Sequence, residues 1–162
     1  MIRWHYSLAT YLDPIKRSRR LLATAGSITP RAVWFSSNQT IERTARGYYK
    51  PEKKMPDAGT AIRFGVPDTF PLVHWPAVPD WWVPRITVET LESSALQVFG
   101  TSPAEWWITP SSVLLKELCA IECWDGKAWR DMDFRSARTR RAGARERVVL
   151  EAMTALRERV SK

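Results

Sequence analysis

The sequence predicts an α+β fold in which the strands and helices are short. Residues 2–7 alternate apolar and polar side chains, as a half-buried strand does, and residues 8–20 follow with apolar side chains at helical spacing. Eleven prolines and nine tryptophans among 162 residues interrupt regular elements and supply bulky side chains for a core. A chain of this length has the size of one domain and can bury a core without cross-links.

The first half of the chain alternates strand and helix patterns. Ser7 stands in an N-cap position for the helix over residues 8–20, and the cations near the end of that segment suit a helix C-terminus. A loop containing Gly26 and Pro30 comes next. The further elements that the patterns predict are a strand over 32–36, a short helix over 40–46 and a strand over 60–66.

The second half of the chain is predicted to be mostly sheet. Residues 67–84 combine prolines with tryptophans and predict an irregular loop. An amphipathic helix over 88–99 ends at Gly100. The composition then predicts strands over 105–109, 112–115 and 118–124, and Asp125-Gly126 predicts a hairpin that returns the chain through 127–129.

Basic residues are concentrated in separate segments. Residues 47–59 form an aromatic, lysine-rich loop, and residues 135–162 are predicted to form a basic helix. Lys and Arg number 25 against 17 Asp and Glu, which gives a formal net charge of +8. Such an excess favours an anionic partner, namely a nucleic acid, a nucleotide or an acidic protein. The alternative is that the charge only maintains solubility.

Metal binding, secretion and membrane insertion are not expected. Cys119 and Cys123 are too close to close a useful loop, and with His5 and His74 they fit no standard zinc spacing. No secretory signal pattern is present, which predicts a cytoplasmic protein. No apolar run approaches the roughly 20 residues that a membrane span requires.

The order of the first motifs resembles the N-terminal half of ADP-ribosyltransferase folds. The motifs are Trp4-His5-Tyr6-Ser7, a helix followed by Leu21-Leu22, and Val33-Trp34-Phe35-Ser36. In the branch that contains the poly-ADP-ribose polymerases, the first strand ends in a histidine followed by a small residue and a hydroxyl. The resemblance covers about the first 45 residues by motif and the rest by element order. It implies a mixed, split β-sheet that binds NAD in an extended crevice, formed by residues 1–134, with 135–162 as a basic C-terminal helix.

The resemblance implies roles for single residues. His5 would hydrogen-bond the ribose hydroxyls of NAD, the backbone of Tyr6 would hold the nicotinamide amide, and Ser7 would support the turn. Trp34, Phe35 and Ser36 would form the floor of the nicotinamide pocket. Tyr48 or Tyr49 would stack on the nicotinamide ring.

The family also uses a glutamate from a later strand, and Glu105 is the residue that matches best. Glu117 and Glu122 are its competitors. Cleavage of the nicotinamide–ribose bond passes through an oxocarbenium-like centre, which a nearby carboxylate stabilises. The predicted catalytic set is therefore Glu105 with His5. The alternative for His5 is a core histidine, and the alternative for Glu105 is a charge at a strand edge.

The predicted function is transfer of ADP-ribose from NAD to a macromolecular acceptor, either nucleic acid or protein. Pro103 stands two residues before Glu105, where arginine-modifying relatives carry a second glutamate, so an arginine acceptor is disfavoured. The Arg-His-Arg-His pattern of the RNA 2′-phosphotransferases is not recoverable. Two other classes remain. One is a non-catalytic inhibitor or binding protein for nucleic acid or an acidic protein, of the kind that mobile elements encode, and the other is a plain nucleic-acid-binding domain. The sequence leaves the oligomeric state open.

Overall fold

A computed structural model describes residues 1–26, 29–45 and 55–132. Over these residues the chain forms two α-helices, α1 (Leu12–Ser18) and α2 (Arg85–Ser94). The strands are β1 (Ile2–Leu8), β2 (Arg20–Leu21), β3 (Val33–Ser36), β4 (Ala61–Pro67), β5 (Val73–His74), β6 (Trp106–Thr109), β7 (Val113–Leu114), β8 (Ala120–Trp124) and β9 (Trp129–Asp131). The predicted basic helix over 135–162 lies outside the described residues.

Seven strands form one sheet in the order β5-β6-β3-β1-β4-β8-β9, and β2 pairs with β7 in a separate two-stranded ribbon. The α+β class is therefore confirmed. Every pairing among the described strands is antiparallel. The prediction of a mixed sheet is wrong for these strands, because no helical crossover connects parallel neighbours in the described ranges.

The central strand β1 pairs unequally with its two neighbours. Seven register pairs join β1 to β4, whereas the single pair Trp4↔Ser36 joins it to β3. β3 in turn pairs with β6 over all four of its residues. The backbone ladder is therefore open between β1 and β3 beyond Trp4, at the level of His5.

Alternation along β1 gives the sheet two distinct faces. We call them the His5 face, which carries Arg3, His5 and Ser7 from β1, and the Trp4 face, which carries Trp4 and Tyr6. α1 and the β2–β7 ribbon pack over the His5 face, and α2 packs over the β3–β6 part of the Trp4 face. Each face thus has its own apolar cluster.

Arg63 is the buried charge at the centre of the Trp4 face. Its guanidinium carbon lies 3.9 Å from the centre of the Trp4 ring and 4.5 Å from that of Trp129. Arg63 pairs with Glu122 at 2.5 Å and donates a hydrogen bond to the backbone oxygen of Gln39. These contacts fasten the loop that follows β3 to the sheet.

The strand predictions are confirmed. The segments predicted over 2–7, 32–36 and 60–66 correspond to β1, β3 and β4, and those over 105–109, 112–115 and 118–124 correspond to β6, β7 and β8. The Asp125-Gly126 hairpin joins β8 to β9. Gly126 has φ 97°, a backbone conformation that glycine adopts without strain.

The predicted helix over residues 8–20 is too long. β1 continues to Leu8, a 3₁₀ turn occupies Ala9–Tyr11, and α1 begins only at Leu12. Ser7 is consequently a strand residue and not an N-cap. Backbone pairing with β4 prevents a helix at this point, because Leu8 is still in register with Ala61.

The short helix predicted over 40–46 is also wrong for its described part, residues 40–45. Asn38 Oδ1 accepts hydrogen bonds from the backbone N–H groups of Thr40 and Ile41, as a helix N-cap would. The chain nevertheless closes a turn, because the Ala45 N–H donates to the backbone oxygen of Glu42 and the Glu42 side chain accepts the Thr44 N–H. The helix predicted over 88–99 begins earlier, at Arg85, and its last turn is a π-helix that ends at Gly100.

Replacing Arg63 by methionine should lower the free energy of unfolding by about 3 kcal/mol, because Glu122 would keep its charge in a largely buried position without a partner. Replacing both Arg63 with methionine and Glu122 with leucine should cost clearly less. Urea denaturation of the two variants measures the difference. A double variant as unstable as the single one would show that the pair does not act as a unit.

Replacing Arg19 by glycine should raise the free energy of unfolding by about 0.5–1 kcal/mol. Arg19 follows α1 with φ 54° and ψ 28°, a left-handed conformation that costs a residue with a Cβ about 1 kcal/mol and costs glycine little. Thermal and urea denaturation measure the gain. The Arg20→Gly variant is the control, because Arg20 has the extended backbone of a strand and should lose stability.

Candidate functional site

His5 bridges the opening between β1 and β3. Its Nδ1 lies 2.9 Å from the backbone oxygen of Trp34, so in the neutral ring Nδ1 carries the proton and Nε2 keeps a lone pair. Burial lowers the pKa of His5, and the hydrogen bond to Trp34 opposes that shift. The ring contacts Phe35 and Phe64 at centroid distances of 5.9 and 6.1 Å. His5 therefore offers a neutral hydrogen-bond acceptor in apolar surroundings.

A second group on the His5 face is built on Trp107. The ring of His74 stacks on Trp107 with a centroid distance of 4.4 Å, and the guanidinium carbon of Arg3 lies 3.7 Å from the centre of the same indole. Arg3 Nε, Arg3 Nη1 and Trp107 Nε1 are buried and have no hydrogen-bond partner among the described residues. An unpaired buried donor costs about 1–3 kcal/mol. These three donors lie at the Trp107 ring, and two of them belong to the Arg3 cation. They therefore favour an acceptor that is an anion.

Glu105 lies at the point where the chain enters β6. Its backbone oxygen accepts a hydrogen bond from the Ser37 N–H at 2.9 Å, and its Oε2 accepts one from Asn38 Nδ2 at 3.1 Å. On the β1 side, Arg3 lies opposite Ser37, one register step beyond the pair Trp4↔Ser36. Arg3 and Glu105 therefore flank the same residue at the end of β3.

The two competing glutamates are engaged elsewhere. Glu117 is exposed, and its Oε2 accepts the backbone N–H of Leu114 at 2.7 Å in a local turn. Glu122 belongs to the Trp4 face, where it pairs with Arg63. Of the three candidates, Glu105 alone lies beside Ser37, the residue opposite Arg3.

The remaining predicted site residues do not share one face. Phe35 lies on the His5 face, where it contacts His5 and belongs to the apolar cluster. Trp34 packs on Trp75 and Trp106 on the opposite side of the sheet, although its backbone oxygen holds His5. Three consecutive strand residues cannot form one floor, because successive side chains point to opposite faces.

Ser36, Tyr6 and Ser7 are buried strand residues. Ser36 Oγ donates to Glu42 at 3.1 Å, and the Tyr6 hydroxyl donates to the backbone oxygen of Asn38 at 2.6 Å. Burial raises the pKa of Tyr6 to about 12. Ser7 lies on the His5 face opposite Ile62. Tyr48 and Tyr49, predicted to stack on nicotinamide, lie outside the described residues.

Sequence reasoning missed Arg3, Trp107 and His74. Arg3 and His5 are two residues apart in β1, so strand alternation alone assigns Arg3 to the same face as His5. No comparable signal exists for Trp107 and His74, because their position beside β1 depends on β6 pairing with β3 and β5 with β6.

The excess of positive charge does not belong to the described part of the chain. Residues 1–26, 29–45 and 55–132 contain twelve Lys and Arg and twelve Asp and Glu. The net charge of +8 is therefore contributed by the other residues, which include the lysines of the 47–59 loop and the arginines after 134. Any basic surface on the described body must be a local one.

Metal and membrane features can be stated for the same residues. No three His, Cys, Asp or Glu side chains in the described ranges are grouped so that they could hold a metal ion. Cys119 and Cys123 are free thiols, and burial raises the pKa of both. None of the described helices has the length and apolar character needed to cross a membrane.

Comparison of the chain with protein-family models, with curated proteins and with solved structures found no match. The functional argument therefore rests on the geometry of the site and on the motifs of the sequence.

The stability of the protein should depend on pH through His5. The folded-state pKa of His5 lies below the ordinary value of 6.5. At pH values between these two pKa values, the unfolded chain therefore binds more protons than the folded protein. The free energy of unfolding should therefore fall as the pH falls below about 6.5, by at most about 1.4 kcal/mol per pH unit. His5→Gln should remove this part of the slope in urea denaturation between about pH 7 and pH 5. Identical slopes for both proteins would contradict the assignment.

Proposed function

We propose that this protein transfers ADP-ribose from NAD to a macromolecular acceptor. The observation that carries the proposal is the opening of the sheet between β1 and β3, bridged by the side chain of His5. An opening of this kind is what the resemblance to the ADP-ribosyltransferases implies for the crevice that binds NAD. The family relationship, the cofactor and the acceptor are all part of the proposal.

The polar groups beside the opening fit the parts of NAD. His5 Nε2 would accept a hydrogen bond from a ribose hydroxyl, since Nδ1 is committed to the backbone oxygen of Trp34. Neither His5 nor Tyr6 has a register pair with β3. The backbone of Tyr6 on the edge that faces β3 would therefore be the partner for the nicotinamide amide. The unpaired donors of Arg3 and Trp107 suit the cofactor pyrophosphate, because a guanidinium forms strong hydrogen bonds with phosphate oxygens.

Glu105 would supply the carboxylate near the reacting carbon. Cleavage of the bond between ribose and nicotinamide develops positive charge on the sugar, and a carboxylate held beside that charge lowers the barrier. The bond from Asn38 Nδ2 fixes one carboxylate oxygen, and Oε1 has no hydrogen-bond partner among the described residues. β3 separates β1 from β6, so the two strands lie about 10 Å apart, a distance that a bound nicotinamide riboside would have to span.

The proposal predicts that Glu105→Gln abolishes chemistry and spares binding. The full-length protein is incubated with labelled NAD and either nucleic acid or cell lysate, and both transferred label and released nicotinamide are measured. The variant should lose about 100-fold or more of the rate, whereas its calorimetric affinity for NAD should change little, because the carboxylate acts on charge that develops in the transition state.

Two variants serve as controls. Glu89→Gln removes an exposed carboxylate on α2, and Glu117→Gln removes the competitor in the local turn. Both should keep full activity. His5→Ala should weaken NAD binding itself, which gives a readout independent of turnover. Absence of NAD binding together with absence of nicotinamide release from the wild-type protein would reject the enzyme and favour a non-catalytic binding protein.

A further inference from the structure

We infer that the corner formed by the end of α1, β2 and the turn after β7 binds the phosphate backbone of a nucleic acid. We call it the α1 corner and define it by four exposed cations, Arg17, Arg19, Arg20 and Lys116. The inference concerns binding alone and does not rest on the proposed chemistry.

The fold brings these four cations together from distant parts of the sequence. Arg20 pairs with Leu114 in the β2–β7 ribbon, and the backbone N–H of Leu115 donates to the backbone oxygen of Arg19 at 3.0 Å. Lys116 follows immediately and so lies beside the two arginines. None of the four cations forms an ion pair among the described residues.

Helix stability does not account for the α1 corner. A cation in the last turn of α1 interacts favourably with the helix dipole, and this explains Arg17. Arg19 and Arg20 come after the helix, and Arg19 adopts a left-handed backbone in which glycine would be less strained. An arginine kept at a strained position, beside other unpaired cations, points to a binding role.

The local charge favours a polyanion with regularly spaced charges. The described body has equal numbers of acidic and basic residues, so the four cations are a local excess on a neutral surface. The two acidic side chains of these segments are Asp13, in the first turn of α1, and Glu117, which is committed to the Leu114 N–H. Arginine forks bind phosphate oxygens in pairs, as they also bind carboxylates. Four cations in one place match the closely and regularly spaced charges of a nucleic-acid backbone.

The α1 corner belongs to the element that covers the His5 face. Leu12 and Ile15 of α1 pack on the same apolar cluster that contains Phe35 and Phe64, the two rings that contact His5. A nucleic acid held there would therefore lie on the side of the sheet that carries His5 and Arg3.

The test compares two triple variants of the full chain that lose the same charge. One carries Arg17→Gln, Arg20→Gln and Lys116→Gln, and the control carries Arg31→Gln, Arg85→Gln and Lys127→Gln, which are exposed elsewhere. Binding of a short fluorescein-labelled RNA, and of the DNA duplex of the same sequence, is followed by anisotropy between about 50 and 200 mM salt.

The α1-corner variant should lose about 10-fold or more in affinity for at least one of the two probes, and the slope of log K against log salt should fall by about 2–3. The control triple should change both quantities far less. Equal losses in the two triple variants would mean that only net charge matters and would overturn the inference. So would the absence of nucleic-acid binding, or binding of a polyglutamate peptide in its place. Circular dichroism spectra of both variants establish that they are folded.

Discussion

The structure depends on how the backbone of β1 is satisfied along its two edges. On the β4 side every residue of β1 is in register with a partner, whereas on the β3 side only Trp4 is. A buried backbone carbonyl without a partner is costly, and the His5 side chain meets this need for Trp34. One hydrogen bond therefore fixes the tautomer of His5 and joins β1 to β3 where their backbones are not paired.

The two faces of the sheet treat buried polar groups differently. On the Trp4 face, Arg63 has Glu122, Gln39 and two aromatic rings as partners, so that charge is neutralised and the face is closed. On the His5 face, donors of Arg3 remain unpaired beside an aromatic stack. Among the described residues, the Trp4 face also has unpaired buried donors, the indole N–H groups of Trp106 and Trp124, but these are neutral. Because an unpaired buried cation is the costlier group, Arg3 is the reason to look for a ligand on the His5 face.

Local patterns predicted the strands well, because alternation and hairpin chemistry act over a few residues. They failed where pairing with a distant strand decided the outcome, since β4 extends β1 through Leu8. They also failed at residues 42–45, where the Glu42 side chain and an i→i+3 backbone bond hold a turn. His5 and Glu105 could be proposed from motif order. The group around Trp107 could not, since three strand pairings bring its members together.

The distribution of charge separates long-range attraction, which depends on net charge, from contact with a fixed group of cations. Twelve of the 25 Lys and Arg lie after position 134 or in the 47–59 loop, and the described body is neutral by count. An excess of positive charge raises the local concentration of any polyanion, and at physiological salt this attraction extends about 8–10 Å. A group of cations on the described body, such as the α1 corner, would act only at contact with a polyanion. Net charge therefore bears on attraction, whereas orientation requires cations that the fold holds in place, as backbone pairing in the β2–β7 ribbon holds Arg20.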